Sequence, residues 1–401
     1  MKSRTVLLAT TLFISILLTL SFSPVSAKGV RGVTDDTIKI GITSDLTGPV
    51  AVKGRQYCDG VKTYLRYVND QGGIHNRKFK VIIDDNRYSI PICISSFKKV
   101  VYRDKVFSLF ILSQTAAVEA LFNDIERAKI VTSSMPHGES IVRPMKRHIF
   151  VPVASYEDHL KVDVDYIMND LKAKNPRIAF VGPDTETSKI DLAGLADRVK
   201  VYNLPPVRVE IASMGSIEAA SQILRLKRYK PDYVFIGASG VALAALVLRE
   251  ARKYRFSPSG FFGEYSNCDD VVVAMAKKAA KNFYASNVFN PWFEDTPGMR
   301  RLRQITIKYH PNSESKISFY THGWTQGMLL EQGLKRAGRD LTTEGLVNAL
   351  ESIKDFRTGL TGAISFSPEN HRGGNYLKIF KADVEKARMV PVTGWRKPVS
   401  Q

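Results

Sequence analysis

Cysteine is scarce in this sequence, and its pattern excludes the usual cysteine-based sites. The 401 residues include three cysteines, Cys58, Cys93 and Cys268, which is an odd number. None belongs to a CxxC pair, and no Cys/His spacing is typical of a metal site. We therefore expect no metal, and either no disulfide or one that is not essential.

The common catalytic and nucleotide-binding motifs are also missing. The sequence contains no GxSxG, no GxxxxGK followed by Ser or Thr, no HExxH, and no GxGxxG after a predicted strand. Its seven histidines are scattered along the chain. Asp84 and Asp85 end a predicted strand with no third ligand nearby, which favours a loop-capping role. The sequence therefore predicts a protein that is not an enzyme and needs no cofactor.

Acidic residues are few relative to basic ones, 39 against 58, which gives a formal charge of +19. Such a balance is compatible with an anionic ligand, with contact to acidic surfaces or nucleic acid, or with the environment of the organism alone. The basic residues are spread along predicted helices, and the densest group, residues 225–230, is typical of a solvated helix face. No nucleic-acid motif accompanies the charge, so no nucleic-acid partner is expected.

Long hydrophobic runs are absent except at the start of the chain. Lys2 and Arg4 precede an uncharged apolar run over residues 6–20, and Val25-Ser26-Ala27 supplies small residues before Lys28. This pattern predicts a secretory signal peptide over residues 1–27, cleaved after Ala27. The alternative is an uncleaved anchor, for which the run is short. The mature chain should then be a free protein of a Gram-negative periplasm.

What the sequence does contain is a repeated strand–helix pattern that begins at Ile38. Ile38, Ile40 and Ile42 alternate as in a strand, and Gly48-Pro49 is turn chemistry. Four apolar residues at helical spacing follow, and Gly72-Gly73 ends that helix. The βαβ pattern continues to about residue 153 and restarts near residue 158, which predicts an α/β fold with parallel, doubly wound sheets. In such sheets, ligands bind at the carboxyl ends of the strands.

The last part of the chain is expected to add helices and the final strands of the sheets. Residues 283–289 read as an extended segment, and three helices follow, over residues 299–309, 319–337 and 343–353. The segments 359–366 and 376–380 are predicted as closing strands. The chain from Met389 onward is predicted as a tail.

Two strings in the first half also resemble a known family. Leu46-Thr47-Gly48-Pro49, followed at this spacing by residues 69–74 (Asn-Asp-Gln-Gly-Gly-Ile), resembles the periplasmic leucine/isoleucine/valine-type substrate-binding proteins of ABC transporters. The resemblance implies the type I periplasmic fold, a Venus flytrap of two Rossmann-like lobes joined by a three-crossing hinge. It places residues 33–153 and 285–364 in the N-terminal lobe, and residues 154–284 and 365–396 in the C-terminal lobe.

A binding protein of this shape needs polar groups at strand ends in both lobes. The sequence offers nine candidate ligand-binding residues: Lys53, Gln114, Thr115, Ser134, His137, Thr187, Ser239, Glu264 and Tyr265. By resemblance, Thr115 matches a hydroxyl that holds the ligand carboxylate. Tyr265 falls at the position of the carboxylate that meets the ligand amino group, with Glu264 one residue away. Other positions depart from the family pattern, since Lys53 replaces an aromatic residue and Thr187 replaces a tyrosine.

The resemblance implies the solute-binding component of an ABC importer of the branched-chain amino acid type. We expect a monomer that binds a small amino-acid-like or carboxylate ligand by hinge closure and delivers it to an inner-membrane permease. The departures leave two explanations open: a changed ligand, or a lost pocket. The alternative function is a periplasmic sensing or partner-binding protein of the same fold.

Overall fold

Two β-sheets organise the chain in the computed structural model, which describes residues 29–399. The predicted signal peptide therefore lies outside the described residues. Twelve strands are seen in this part of the chain: β1 Thr37–Ser44, β2 Lys78–Asp85, β3 Ser108–Ile111, β4 Val131–Ser134, β5 Ile149–Phe150, β6 Ile178–Gly182, β7 Arg208–Ile211, β8 Tyr233–Ile236, β9 Gly260–Gly263, β10 Phe283–Asn287, β11 Lys378–Asp383 and β12 Arg388–Pro391.

Helices connect most of these strands, as the sequence pattern predicts. They are α1 Ala51–Asp70, α2 Ile90–Lys98, α3 Thr115–Ala120, α4 Phe122–Ala128, α5 Glu139–Val142, α6 Tyr156–Asn169, α7 Glu186–Val201, α8 Ala220–Tyr229, α9 Gly240–Lys253, α10 Asp270–Ala276, α11 Pro297–Tyr309, α12 Ser318–Ala337 and α13 Thr343–Glu351. A π-helical turn continues α2 over Lys99–Arg103, and a 3₁₀ turn continues α10 over Lys277–Ala280.

The first sheet has the order β2-β1-β3-β4-β5, and all its strands are parallel. The chain adds β2 on one side of β1 and β3 on the other, so the strand order reverses at β1. Ile38, Ile40 and Ile42 of β1 share one face of the sheet, and their side chains are fully buried there. A crevice for ligands opens at such a reversal, beyond the carboxyl ends of the strands.

The second sheet has the order β12-β11-β10-β9-β8-β6-β7. Strands β7, β6, β8, β9 and β10 are parallel, and β11 and β12 add antiparallel at the other edge. Here the strand order reverses at β6, between β7 and β8. The predicted α/β fold with two doubly wound sheets is confirmed.

Two predictions about the closing segments are wrong. Residues 359–366 form no sheet strand, because Gly359 turns the chain with a φ of +72° and the segment bonds to the 288–290 loop, with Thr361 Oγ1 donating to the Val288 carbonyl at 2.5 Å. Phe356 and Ile364 make only an isolated bridge. The predicted tail contains β12, since burying Met389 and pairing with β11 stabilise an edge strand there.

The exact lobe boundaries stay a prediction. In the structure, residues 285–287 belong to β10 of the second sheet, and Arg372 forms an isolated bridge with Val151 beside β5 of the first. Both positions lie a few residues beyond the predicted boundaries at 284/285 and 364/365. The sheets themselves, rather than these boundaries, position the site.

Helices α1 and α12 pack with their backbones in contact. A Cβ atom at Gly60 would lie 2.1 Å from the carbonyl oxygen of Tyr320, and one at Gly323 would lie 2.1 Å from that of Tyr57. Glycine is therefore required on both sides of this crossing, because no larger residue fits against the facing backbone. The two helices form one wall that ends, at its amino-terminal side, in Lys53 and Phe319.

Candidate functional site

A partly open chamber of about 60 Å³ lies between the carboxyl ends of the two sets of strands. We call it the inner chamber. The first sheet contributes residues that follow β1, β3 and β4, and the second contributes residues that follow β6, β8 and β9. Its lining includes Asp45, Lys53, Tyr88, Leu112, Ser113, Met135, Tyr156, Thr185, Thr187, Ala238, Glu264, Tyr265, Ser266 and Phe319.

A second, more apolar space of about 260 Å³ adjoins it, and we call this the outer chamber. Val50, Lys53, Met214, Tyr265, Ser266 and Phe319 line both spaces. The outer chamber adds mainly small and aliphatic side chains, including Val52, Val241, Ala242, Val271 and Ile317. The two chambers together offer a polar end and an apolar end to one ligand.

Asp45 is the most unusual group in the inner chamber. Its side chain is fully buried directly after β1, and neither carboxylate oxygen has a hydrogen-bond partner among the described residues. Burial raises the pKa of this carboxyl to about 8, with a further increase from Asp85, while the Tyr88 amide and Lys53 act in the opposite direction. A buried carboxylate without donors is costly, so the raised pKa leaves Asp45 largely protonated at neutral pH while no ligand is bound.

The loop that carries Asp45 is held by the neighbouring strand ends. Asp85 accepts hydrogen bonds from the Leu46 amide at 2.9 Å and the Thr47 hydroxyl at 2.6 Å. A Cβ atom at Gly54 would lie 2.0 Å from the Asp45 carbonyl oxygen, so only glycine lets α1 begin here. Asp85 therefore has the loop-capping role that the sequence favours. Asp45 is held between this capped loop and the first turn of α1.

Glu264 stands at the end of β9, in the second sheet, and is equally buried. Its Oε2 accepts a hydrogen bond from the Ser266 amide at 2.9 Å, and its Oε1 accepts one from the Ser266 hydroxyl. That hydroxyl in turn accepts from the Gly240 amide at 3.2 Å. Burial raises the pKa of Glu264, whereas Ser266 and Lys53 lower it. The carboxylate is thus oriented by a short relay from the start of α9.

Lys53 reaches across the site from α1. Its ammonium lies 5.3 Å from the centre of the Phe319 ring, and a Cβ atom at Gly240 would be 3.5 Å from Nζ. Within residues 29–399 it forms no ion pair, although Glu264 and Asp45 both raise its pKa against the larger lowering by burial. Lys53 therefore supplies positive charge near both carboxyl groups without neutralising either by direct contact.

A family model described as periplasmic binding protein matches residues 37–388 of the sequence. The chain belongs to this family. The predicted membership is confirmed, and so is the predicted solute-binding role at the level of the family.

Curated relatives match this periplasmic binding protein over most of their length. The Leu/Ile/Val-binding protein homolog 3 of Brucella melitensis is 20% identical over 361 residues, which cover 86% of this chain and 91% of the relative. The Leu/Ile/Val-binding protein BraC3 of Rhizobium johnstonii is 22% identical over 373 residues, which cover 92% of this chain and 98% of the relative.

Solved structures share the fold. A branched chain amino acid ABC transporter protein of Thermus thermophilus with bound valine superposes with a TM-score of 0.84 at 22% identity, covering 91% of this chain and 97% of the other. A fatty acid ABC transporter substrate-binding protein of Thermomonospora curvata gives a TM-score of 0.82 at 23% identity, covering 92% and 95%. At these identities the likeness concerns the fold alone.

Five of the nine predicted ligand-binding residues line the chambers of this periplasmic binding protein. Lys53 and Tyr265 line both, Thr187 and Glu264 line the inner one, and Ser239 lines the outer one. Their contact with a ligand stays a prediction.

The other four do not line either chamber. Gln114 donates its side-chain amide to the Tyr88 carbonyl at 2.5 Å, and the Ser134 hydroxyl donates to the Pro136 carbonyl at 2.8 Å. The Thr115 hydroxyl is buried and has no hydrogen-bond partner among the described residues. His137 is fully buried, with Nδ1 2.9 Å from the Met135 carbonyl. For these four as well, contact with a ligand stays a prediction.

His137 belongs to a buried aromatic group at the junction of the two sheets. Its ring lies 3.8 Å from that of Tyr156 and 5.9 Å from that of His159, between centroids. His322, 6.1 Å away, hydrogen-bonds through Nδ1 to the Tyr265 hydroxyl at 3.1 Å. Burial lowers the pKa of His137 to about 3, and those of His159 and His322 well below the ordinary value. These imidazoles are neutral packing groups at neutral pH.

Sequence reasoning named Ser113 with Gln114 and Thr115 as a candidate run, but it missed Asp45 and Tyr156. A signal for Asp45 was present, because it directly follows a predicted strand of the first sheet. Tyr156, at the first turn of α6, had no such signal, and its ring lies against that of His137.

Within the described part of the chain, no group of three or more His, Cys, Asp or Glu side chains is placed to hold a metal ion. The three cysteines are buried and unpaired. No helix among residues 29–399 combines the length and apolar character needed to cross a membrane.

Proposed function

We propose that this chain is the periplasmic solute-binding component of an ABC importer and that it binds a small amino-acid-like ligand in the inner chamber. The observation that carries the proposal is the convergence of buried polar groups from both sheets on one shared chamber. Asp45 and Ser113 come from the first sheet and Glu264 from the second. A ligand that contacts both sides stabilises the closed arrangement, and an importer recognises that state.

The polarity of the two chambers sets the orientation of the ligand. Glu264, one residue from the position that matches the family carboxylate, accepts the ligand amino group, and Ser113 and Lys53 are donors for a carboxylate. The aliphatic part of the ligand packs against Phe319, which lines both chambers. The names of the relatives, which bind leucine, isoleucine or valine, support an amino acid as the ligand class.

The remaining parts of the proposal follow from this role. The protein acts as a monomer in the periplasm after removal of residues 1–27, and its partner is an inner-membrane permease. No nucleic-acid partner, metal or cofactor is needed for this function, and no catalytic step is proposed.

Thermal unfolding of residues 28–401 tests the binding role. We expect one class of amino acids, amides or carboxylates to raise the melting temperature, because a ligand that binds only the folded state stabilises it by mass action. Glu264→Gln should lose most of the shift given by an amino acid, while Glu218→Gln, an exposed control, should keep it. Cooperative melting with no shift from any class would contradict the proposal.

A further inference from the structure

On the side of the inner chamber formed by the first sheet, Asp45 is the residue with an unusual environment. A carboxylate that is removed from water needs hydrogen-bond donors or a counter-charge. Here both oxygens lack donors among the described residues, although the side chain is fully buried and lines the inner chamber. Glu264, across the chamber, has two donors from Ser266. Of the two carboxyl groups, it is therefore Asp45 that still needs a hydrogen-bond donor or a counter-charge.

The groups near Asp45 do not meet this requirement. The Tyr88 amide lies close enough to lower the pKa of Asp45, but it donates its hydrogen bond to Asn86 Oδ1 at 3.0 Å. Lys53 is the basic residue that lines the inner chamber, and its ammonium rests over the Phe319 ring without an ion pair in the described residues. The loop amides of Leu46 and Thr47 donate to Asp85 instead. The donor for Asp45 must therefore come from within the chamber.

The charges that line the chamber indicate the kind of donor. With their side chains ionised, Asp45 and Glu264 carry two negative charges and Lys53 one positive charge. A zwitterionic amino acid leaves this balance unchanged, and a second carboxylate would add to the excess. A ligand with a net positive charge neutralises the excess negative charge. Because the surroundings have low polarity, the difference in binding free energy between a cationic and a zwitterionic ligand is large.

We propose that Asp45 is the ligand contact of the first lobe, and that this protein selects an organic cation that carries a nitrogen for Asp45 in addition to the amino group bound by Glu264. The inference rests on the proposed solute-binding function and narrows its ligand class. Basic amino acids and short diamines have the required pair of nitrogens. Amides offer donors without charge and therefore stabilise an ionised Asp45 less.

Matched ligand pairs test this directly by calorimetric titration of residues 28–401 at about pH 8, where about half of the Asp45 carboxyl groups are ionised. Lysine and norleucine differ by one terminal ammonium, and ornithine and norvaline differ in the same way. We expect lysine or ornithine to bind at least about tenfold more tightly than its uncharged partner, the usual size of one charged hydrogen bond. Asp45→Asn keeps the shape and removes the charge, and should bring each pair within about threefold.

Asp84→Asn is the matched control. Asp84 lies at the end of β2, is ion-paired with Lys99, and does not line either chamber. The control variant should keep the full discrimination of the wild-type protein. If Asp45→Asn does not fold, the wild-type comparison of each ligand pair still decides.

Three outcomes overturn the inference, and they separate it from the proposed function. Equal or tighter binding of norleucine by the wild-type protein keeps the binding role but rejects cation selection. Discrimination that persists in Asp45→Asn keeps cation selection but rejects Asp45 as its source. Failure of every amino acid, amine and carboxylate to bind to cooperatively melting protein rejects the binding role and the inference with it.

Discussion

Gly54 packs against the backbone of Asp45 so closely that a Cβ atom on Gly54 would lie 2.0 Å from the Asp45 carbonyl oxygen. The first turn of α1 is therefore pressed onto the end of β1, and this contact fixes the loop on which the inner chamber depends.

Gly54→Ala should destabilise the protein by about 1–3 kcal/mol, because the added methyl group forces the helix away from the strand end. The free energy of unfolding, measured with denaturant, gives this value. Gly394→Ala is the control, since a Cβ atom there meets nothing within 4 Å. Equal stability of the two variants would show that the contact at Gly54 is not tight.

Arg198 and Asp165 form a buried ion pair, 2.6 Å apart, with side chains 3% and 4% exposed. Removing one partner leaves the other charge buried and unpaired, so Arg198→Met should cost about 3–5 kcal/mol in unfolding free energy. The double variant Arg198→Met/Asp165→Leu should cost less than the sum of the two single changes. Additive losses in denaturant unfolding would contradict a coupled pair.

The buried histidine His137 should make the ligand-free protein less stable in acid. Its pKa is about 3 in the folded chain against an ordinary 6.5, so below pH 6.5 the unfolded chain binds the extra proton. This group alone should remove about 2 kcal/mol of stability between pH 7.5 and pH 5. The groups that face it are Tyr156, His159, Tyr265, His322 and the charge of Arg372.

The loss due to His137 is isolated by comparing the wild-type protein with His137→Asn across this pH range. The comparison is needed because Asp45 and Asp269, whose pKa values are raised to about 8 and about 7, have the opposite effect. Their folded forms hold a proton that the unfolded chain has lost, so they favour stability at lower pH. If the two proteins show parallel pH profiles, His137 does not titrate on unfolding.

Binding of a cationic ligand should strengthen as the pH rises from 6 to 8. Asp45, with a pKa of about 8, must lose its proton to accept the cation, so the affinity for lysine should increase by up to about tenfold per pH unit. Lys53, Asp85 and Tyr88 face this carboxyl. Titration in buffers of different ionisation enthalpy should show proton release in the wild-type protein and none in Asp45→Asn.

Lys53→Met should increase the negative excess of the inner chamber. Without the Lys53 ammonium, a short diamine, which has no carboxylate for Lys53 to bind, should bind about tenfold more tightly, and dicarboxylates should bind more weakly, since both depend on charge at short range. Calorimetry with putrescine and glutarate measures both directions. A loss of affinity for both ligands would mean that Lys53 holds the chamber open or in shape rather than setting its charge.

The sequence predicts the sheets well because their periodic burial is a local property. Ile38, Ile40 and Ile42 alternate in the sequence and are buried as expected. Residues 359–366 look like a strand by composition, yet the chain turns at Gly359 and bonds to residues 288–290, which no local pattern reveals. The edge strand β12 depends in the same way on a partner, β11, that the local sequence does not specify.

The site is less predictable because it depends on which polar groups already have partners. Gln114 follows a strand as a ligand-binding residue would, but its amide is used by the Tyr88 carbonyl. Asp45 also follows a strand, and its importance lies in the donors that it lacks. Whether Asp45 has donors depends on three separate loops. The position at the end of a strand therefore does not show by itself whether a residue contacts a ligand or anchors a loop.

The glycine contacts between α1 and α12 have a consequence for the rate of ligand exchange. Gly60 and Gly323 hold the two helix backbones together, so Lys53 and Phe319 are fixed to a single stiff wall with no bend inside it. A bound molecule therefore leaves only when this wall and the second sheet separate as whole bodies. Residence time should follow the frequency of that separation rather than the rotation of any one side chain.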